Sequence, residues 1–186
     1  IGGRRASSEP LPAYAHHTMG ERVFITGGTG YLGRALSERL VERGHEVTAL
    51  VRAGSQAKLP WGARAVVGDA LANGAWFANV PHGATFVHLV GAPAPAPWKT
   101  AEFERIDLGS LRVAIEAARA AECAHFVYLS VAQPAPVMKS YIAGRARGER
   151  EIEAAGLRAT LVRPWYVLGP RHRWPSRRAA ARRAAR

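Results

Sequence analysis

Residues 26–33, from Thr26 to Gly33, read TGGTGYLG. The run that leads into them, Val23–Thr26, is β-branched or aromatic throughout, the composition of a buried strand. Behind them, Leu32–Arg43 places Leu32, Ala35, Leu36, Leu40 and Val41 on one helical face, and Gly44 stands where glycine favours a helix end. A glycine-rich turn in this strand–turn–helix setting suits a phosphate-bearing ligand. Gly27 permits a turn that a side chain would block, Gly30 lets the backbone approach a pyrophosphate, and Gly33 lets the helix pack close to the sheet. The helix start then presents amide N–H groups and the positive end of its dipole to the anion. The expected ligand is a nicotinamide dinucleotide, with Gly27, Gly30, Tyr31, Leu32 and Gly33 as candidate contacts.

The same alternation continues along the chain. Val47–Val51, Ala65–Val67, Thr85–Val90, His125–Ser130 and Thr160–Arg163 read as further strands, the last stopped by Pro164. Glu102–Ala121 and Tyr141–Ala155 read as helices, the second closed by Gly156. Strands separated by helices imply right-handed crossovers and a parallel sheet covered on both faces. The predicted fold is therefore α/β, a doubly wound parallel sheet of order 3-2-1-4-5-6. Ligands of such sheets lie beyond the strand C-termini, where Gly27, Arg52, Asp69, Gly91 and Ser130 all fall. The stretch APAPAP at 92–97 reads as a loop over that site.

Nineteen residues after Gly33, where an acid would hold the ribose hydroxyls of NAD, stands Arg52. A guanidinium suits a 2′-phosphate, so NADP is expected in preference to NAD. Asp69 ends the third strand; its carboxylate either accepts from an adenine amino group or caps the next segment.

The 186 residues suit one domain, and 48% apolar content suits a globular chain. The net charge of +12 is unevenly placed. Residues 171–186 carry seven arginines and no acid, and residues 1–18 a net +1, which leaves 12 − 7 − 1 = +4 for residues 19–170. The excess belongs to a tail that reads as a solvated end, and no specific nucleic-acid partner is expected. The expected division is a lead at 1–18, a dinucleotide-binding domain at 19–170 and a basic tail at 171–186, with Met19 a candidate natural start. No apolar run is long enough for a membrane span. The lone Cys123 excludes a disulfide or a cysteine metal site within one chain, reads as structural, and suits a reducing cytoplasm. His16–His17 are not read as metal ligands, and His88, inside a strand, reads as a core residue.

Taken together, TGGTGYLG, VVGDA at 66–70, HLVGAP at 88–93, YLSV at 128–131 and YIAGRARGEREIEAAGLRATLVRPWYVLGP at 141–170 resemble the short-chain dehydrogenase/reductase superfamily. The similarity is to its extended and atypical branches, the NmrA-like and epimerase-like NAD(P)H-binding proteins. It implies catalytic roles for three residues: Ser130 polarises a substrate carbonyl, Tyr141 donates or abstracts the proton, and Arg145 stands where the pattern has the lysine that tunes the tyrosine and holds the nicotinamide ribose. Arginine keeps the charge but does not join a proton relay. The resemblance also brings Pro164 close to the nicotinamide, with Trp165 and Tyr166 lining a pocket or filling core. Read without it, Ser130 caps a turn, Tyr141 packs, and Arg145 with Glu149 makes a solvent-facing i, i+4 pair. Extended members continue into a substrate domain. Here the chain turns at Trp174–Pro175 into SRRAAARRAAR, which has no core pattern, so that part is expected to be largely absent. Two functions follow from this reading. One is an NAD(P)-dependent oxidoreductase or epimerase-like enzyme acting on a small carbonyl, alcohol or sugar nucleotide. The other is a non-catalytic NAD(P)H-binding redox sensor or structural subunit.

Overall fold

The computed structural model describes residues 20–93, 98–133, 138–165 and 167. Six parallel strands form one sheet: β1 (Arg22–Thr26), β2 (Glu46–Val51), β3 (Arg64–Val67), β4 (Thr85–His88), β5 (His125–Leu129) and β6 (Ala159–Val162). Their order is β3-β2-β1-β4-β5-β6, the predicted doubly wound arrangement. Ile25 stands beside Ala49 of β2 on one side and Val87 of β4 on the other, so the central strand is paired along both edges.

Alternation along the strands divides the side chains between two layers. Phe24, Phe86, Phe126 and Tyr128 point to one face and are fully buried against helix α3 (Gly109–Ala120) and Ile152 of helix α4 (Lys139–Ala154). Val23, Ile25, Val47, Ala49, Val51 and Val87 point to the other face, where Leu36, Leu40 and Val41 of helix α1 (Tyr31–Glu42) pack on them. The buried line of α1 runs through Gly33 and Ser37, whereas Ala35 is exposed. The helix approaches the sheet most closely along its smallest residues, which turns the predicted face by part of a turn.

The segment expected as one helix over 102–121 is built in three parts. A short turn α2 (Thr100–Glu102) leads into a π-helical stretch, Phe103–Leu108, which continues into α3. Each π turn accommodates an extra residue, and that insertion has no mark in hydrophobic periodicity. Strand β4 ends at His88 and not Val90, although the Leu89 N–H still donates to the Thr26 carbonyl at 3.0 Å.

Cys123 is half-buried against the first core layer, and burial pushes its thiol up to about 11, consistent with a packing role. Among the described residues no helix is long and apolar enough to cross a membrane, and no group of three or more His, Cys, Asp or Glu residues is placed to hold a metal ion. The 1–18 lead with His16–His17, Met19, residues 94–97 of the Pro-rich stretch, Tyr166 and the 171–186 tail lie outside the described residues.

Candidate functional site

The strand order reverses between β1 and β4, and the crevice beyond their C-termini is the binding position such a sheet creates. Gly27 leaves β1 with φ +79°, a left-handed conformation that disfavours a side chain. A Cβ on Gly27 would also lie 2.9 Å from the Leu89 carbonyl carbon, so the turn sits directly against the segment that leaves β4. At Gly33 a Cβ would collide with the Gly27 carbonyl oxygen, which explains the close approach of α1 to the turn. Gly30 is exposed and forms the N-cap of α1 without a side-chain cap, and the first turn of α1 contains no acid. An uncapped helix start, without a carboxylate beside it and lined by glycine, fits a pyrophosphate in both charge and space. Tyr31 is 43% exposed at the helix start, and Leu32 is half-buried behind it.

Around this turn stand the other strand ends. Arg52, just past β2, is exposed. Asp69 accepts the Leu71 N–H at 2.9 Å through Oδ1, the capping alternative of the two roles expected for it. Pro164 follows β6 and accepts the Ala132 N–H at 3.0 Å, which joins the post-β6 loop to the post-β5 loop. Trp165 is 59% exposed and fills no core space.

His88 is fully buried at the end of β4. Its Nδ1 lies 2.8 Å from Thr26 Oγ1 and its Nε2 3.3 Å from Ser110 Oγ. Burial and the nearby Arg145 cation lower its pKa to about 3, so the ring is neutral. It is the core histidine the sequence indicates.

Of the three residues expected to act together, Tyr141 and Arg145 are in contact and Ser130 is engaged elsewhere. Tyr141, in the first turn of α4, packs with the Phe103 ring at 5.2 Å, and the Arg145 guanidinium lies 5.3 Å from its ring centroid. Ser130 is buried at the end of β5, but its Oγ donates to Glu149 Oε1 at 2.5 Å rather than capping a turn or meeting Tyr141. Glu149 also accepts from Arg163 Nε at 2.9 Å and Nη2 at 2.6 Å. The Arg163 hydrogen bonds, with help from Ser130, hold the Glu149 carboxyl below its ordinary range against the cost of burial.

Arg145 therefore does not form the expected surface pair with Glu149. Its side chain is 6% exposed and its Nη2 lies 2.5 Å from Oδ1 of Asp107, itself 2% exposed. Nη1 donates to the Leu129 carbonyl at 2.8 Å and to the Tyr128 hydroxyl at 3.3 Å. Burial holds the Asp107 carboxyl above the ordinary carboxylate range, with the Arg145 charge and the Ala92 N–H pulling the other way. Asp107 is absent from the sequence reading, and Glu149 enters it only as a surface partner of Arg145. Asp107 stands on the helical line Phe103, Asp107, Leu111 and Ala118, and Arg145 on the line Tyr141, Arg145, Gly148 and Ile152. An acid and a base, each placed on an otherwise inward-facing stripe, were the available signal.

A cavity of about 570 Å³ lies at the other end of the sheet, between Arg22, Thr85, His125 and Arg158. It is lined by residues at the strand N-terminal ends, remote from the strand C-termini, whereas the crevice holds the glycine turn and the uncapped start of α1.

The family model described as NAD(P)H-binding matches residues 27–173. The chain belongs to that family. This NAD(P)H-binding protein is 34% identical over 153 residues to a ceramide reductase of Caulobacter vibrioides, across 80% of this chain and 47% of the relative. It is 29% identical over 170 residues to a 4-hydroxy-2-methyl-3-oxo-4-farnesyl-3,4-dihydroquinoline-1-oxide ketoreductase of Stigmatella aurantiaca, across 80% and 51% of the two chains. The chain thus spans about half the length of the curated relatives it matches. Its fold is that of the Bordetella bronchiseptica enzyme WbmG in complex with NAD, with a TM-score of 0.72 at 23% identity over 92% of this chain and 62% of that one. The resemblance to the short-chain dehydrogenase/reductase superfamily and the doubly wound fold are borne out, and the cofactor of this NAD(P)H-binding protein is a nicotinamide dinucleotide.

Proposed function

We propose that this NAD(P)H-binding protein is a reductase that interconverts a small carbonyl compound and its alcohol at the crevice beyond β1 and β4. The observation that carries this reading is the position of Tyr141, on the first turn of α4 and packed between Phe103 and Arg145. The dinucleotide, when bound, supplies or accepts the hydride. In the reducing direction Tyr141 Oη gives its proton to the carbonyl oxygen as the alcohol forms, and it recovers a proton from solvent. The Ser130 hydroxyl, released from Glu149, donates to the same oxygen. The amides opening α1, between Gly30 and Gly33, bind the pyrophosphate. Gly91 and Pro164 border the nicotinamide, and Asp69, with one oxygen engaged by the Leu71 N–H, directs the other toward the adenine.

NADP is the proposed preference. Arg52, just past β2, is exposed at the position where NAD selectivity calls for an acid. The single, half-buried Cys123 supports a cytoplasmic setting.

A second reading, cofactor binding without turnover, is favoured by one specific feature: Ser130 and Arg145 are both engaged by acids, Glu149 and Asp107. Calorimetric titration with NADPH and NADH, followed by a turnover screen on ketone and aldehyde substrates in wild type and Tyr141→Phe, separates the two. The reductase reading requires NADPH binding, turnover in wild type, and a loss of roughly 10²–10⁴-fold in Tyr141→Phe with binding retained. Binding without turnover supports the sensor or subunit, and failure to bind either dinucleotide defeats both.

A further inference from the structure

We propose that Asp107 is a positioning residue and Arg145 its counter-ion, the pair forming the floor that holds the Gly91–Ala92 loop in place at the cofactor crevice. The inference rests on the reading of that crevice as the dinucleotide site. It moves Arg145 from contact with the cofactor to support beneath it.

Four segments meet at this pair. Asp107 belongs to the π-helical stretch and Arg145 to α4. Asp107 Oδ2 accepts the Ala92 N–H at 2.9 Å, and Arg145 Nη1 donates to the Leu129 carbonyl at 2.8 Å. The pair thus joins the segment after β4 to the end of β5. Gly91 lies directly on it: a Cβ there would run into Arg145 Nη2 and stand 3.3 Å from Asp107 Oδ1. On its other side this loop adjoins the phosphate turn, because Gly27 abuts Leu89 and Val90.

The distribution of hydrogen bonds argues against a purely stabilising pair. Two charges this deeply buried are expensive, and an apolar pair of similar volume often serves stability as well or better. The ion pair engages Arg145 Nη2 and Asp107 Oδ1, while Arg145 Nε is buried without a hydrogen-bond partner. Each partner also spends a bond, at 2.9 and 2.8 Å, on backbone beyond β4 and at the end of β5, which is what positioning requires. With its guanidinium turned inward between Asp107, Leu129 and Tyr128 and its one unpartnered donor, Nε, buried, Arg145 presents no exposed donor to a ribose.

The decisive comparison is wild type against the apolar double variant Asp107→Leu/Arg145→Met, with Arg145→Lys as a second variant that keeps the charge. Affinity for NADPH and NADH is measured by calorimetry and exchange of the Ala92 amide by NMR. In the double variant no charge is left buried, so its thermal midpoint falls less than that of either single replacement. The Ala92 amide then exchanges faster, and dinucleotide affinity falls by about tenfold or more. A lysine cannot span Asp107 and the Leu129 carbonyl as a fork does, so Arg145→Lys shows the same changes to a smaller extent. Wild-type affinity and wild-type Ala92 protection in a folded double variant overturn the proposal. Should the double variant not fold, the same pair of results in Arg145→Lys overturns it. If wild type binds neither dinucleotide, the cofactor reading fails, and Ala92 exchange alone still decides whether the pair holds the loop.

Discussion

Ser130 Oγ and Glu149 Oε1 lie 2.5 Å apart, so the hydroxyl at the end of β5 is committed to a carboxylate on α4 that Arg163 also grips through two nitrogens. Glu149 is mostly buried and its carboxyl is held below the ordinary value of 4.5 by the Arg163 and Ser130 hydrogen bonds. A depressed folded-state value gives stability that is fully present above the unfolded value and lost as pH falls through the folded one. Glu149→Gln is expected to cost roughly 1 kcal/mol at neutral pH and to flatten the loss of stability below pH 4.5. Urea unfolding of both proteins across the acid range measures this, and an unchanged acid limb would rule the carboxylate out as its source.

His88 loses stability in the same direction as pH falls, but for the opposite reason. It is a base held neutral by burial and by Arg145, with a folded value of about 3 against an ordinary 6.5. Between those values the unfolded chain binds a proton that the folded chain does not, so stability declines as pH falls from 6.5 toward 3. His88→Phe removes that slope and leaves the Thr26 and Ser110 hydroxyls without their ring partner, at a cost of roughly 1–3 kcal/mol at neutral pH. The His88 ring resonances of the folded wild type are expected to stay fixed from neutral pH to about pH 5; a midpoint near 6.5 would contradict a buried neutral ring.

Gly33→Ala places a methyl group against the Gly27 carbonyl. Either α1 lifts from the turn or the turn opens, and both displace the amides offered to the pyrophosphate. The expected result is a lowered thermal midpoint together with a dinucleotide affinity reduced by about tenfold or more. Calorimetry on the folded variant decides it: undiminished affinity would remove the turn from the binding site.

Arg52→Glu exchanges a phosphate-binding group for one suited to ribose hydroxyls. The ratio of NADP to NAD affinity is expected to fall by about tenfold or more, with most of the loss on the NADP side. Equal losses for both cofactors would place Arg52 on the adenine face instead.

The sheet was legible because its strands are short apolar runs bounded by glycine, proline and helical patterns, and that spacing fixes both element type and order. Boundaries shifted by a residue or two, as at β4, where Leu89 keeps a ladder-like bond past the end of the strand. The glycine turn was legible because each glycine has a steric cause visible in spacing alone. Ser130 and Arg145 were located but not understood. Their partners, Glu149 on α4 and Asp107 on the π-helical stretch, are 19 and 38 residues away in sequence, and local spacing is blind to such pairs. Ala35 was misplaced for a related reason: the line of closest approach of α1 is set by the absence of side chain at Gly33, to which a hydrophobic pattern gives no weight.

The π turn Phe103–Leu108 has a further consequence. On an α-helix, residues five apart point about 140° away from each other. Here Phe103 and Leu108 are both buried, at 2% and 1% exposure, with Asp107 buried between them. The widened turn thus gives the helix a broader inward side, and the carboxylate takes none of the places that greasy packing needs. A core helix has admitted a charge by growing locally wider, without surrendering an apolar residue to make room.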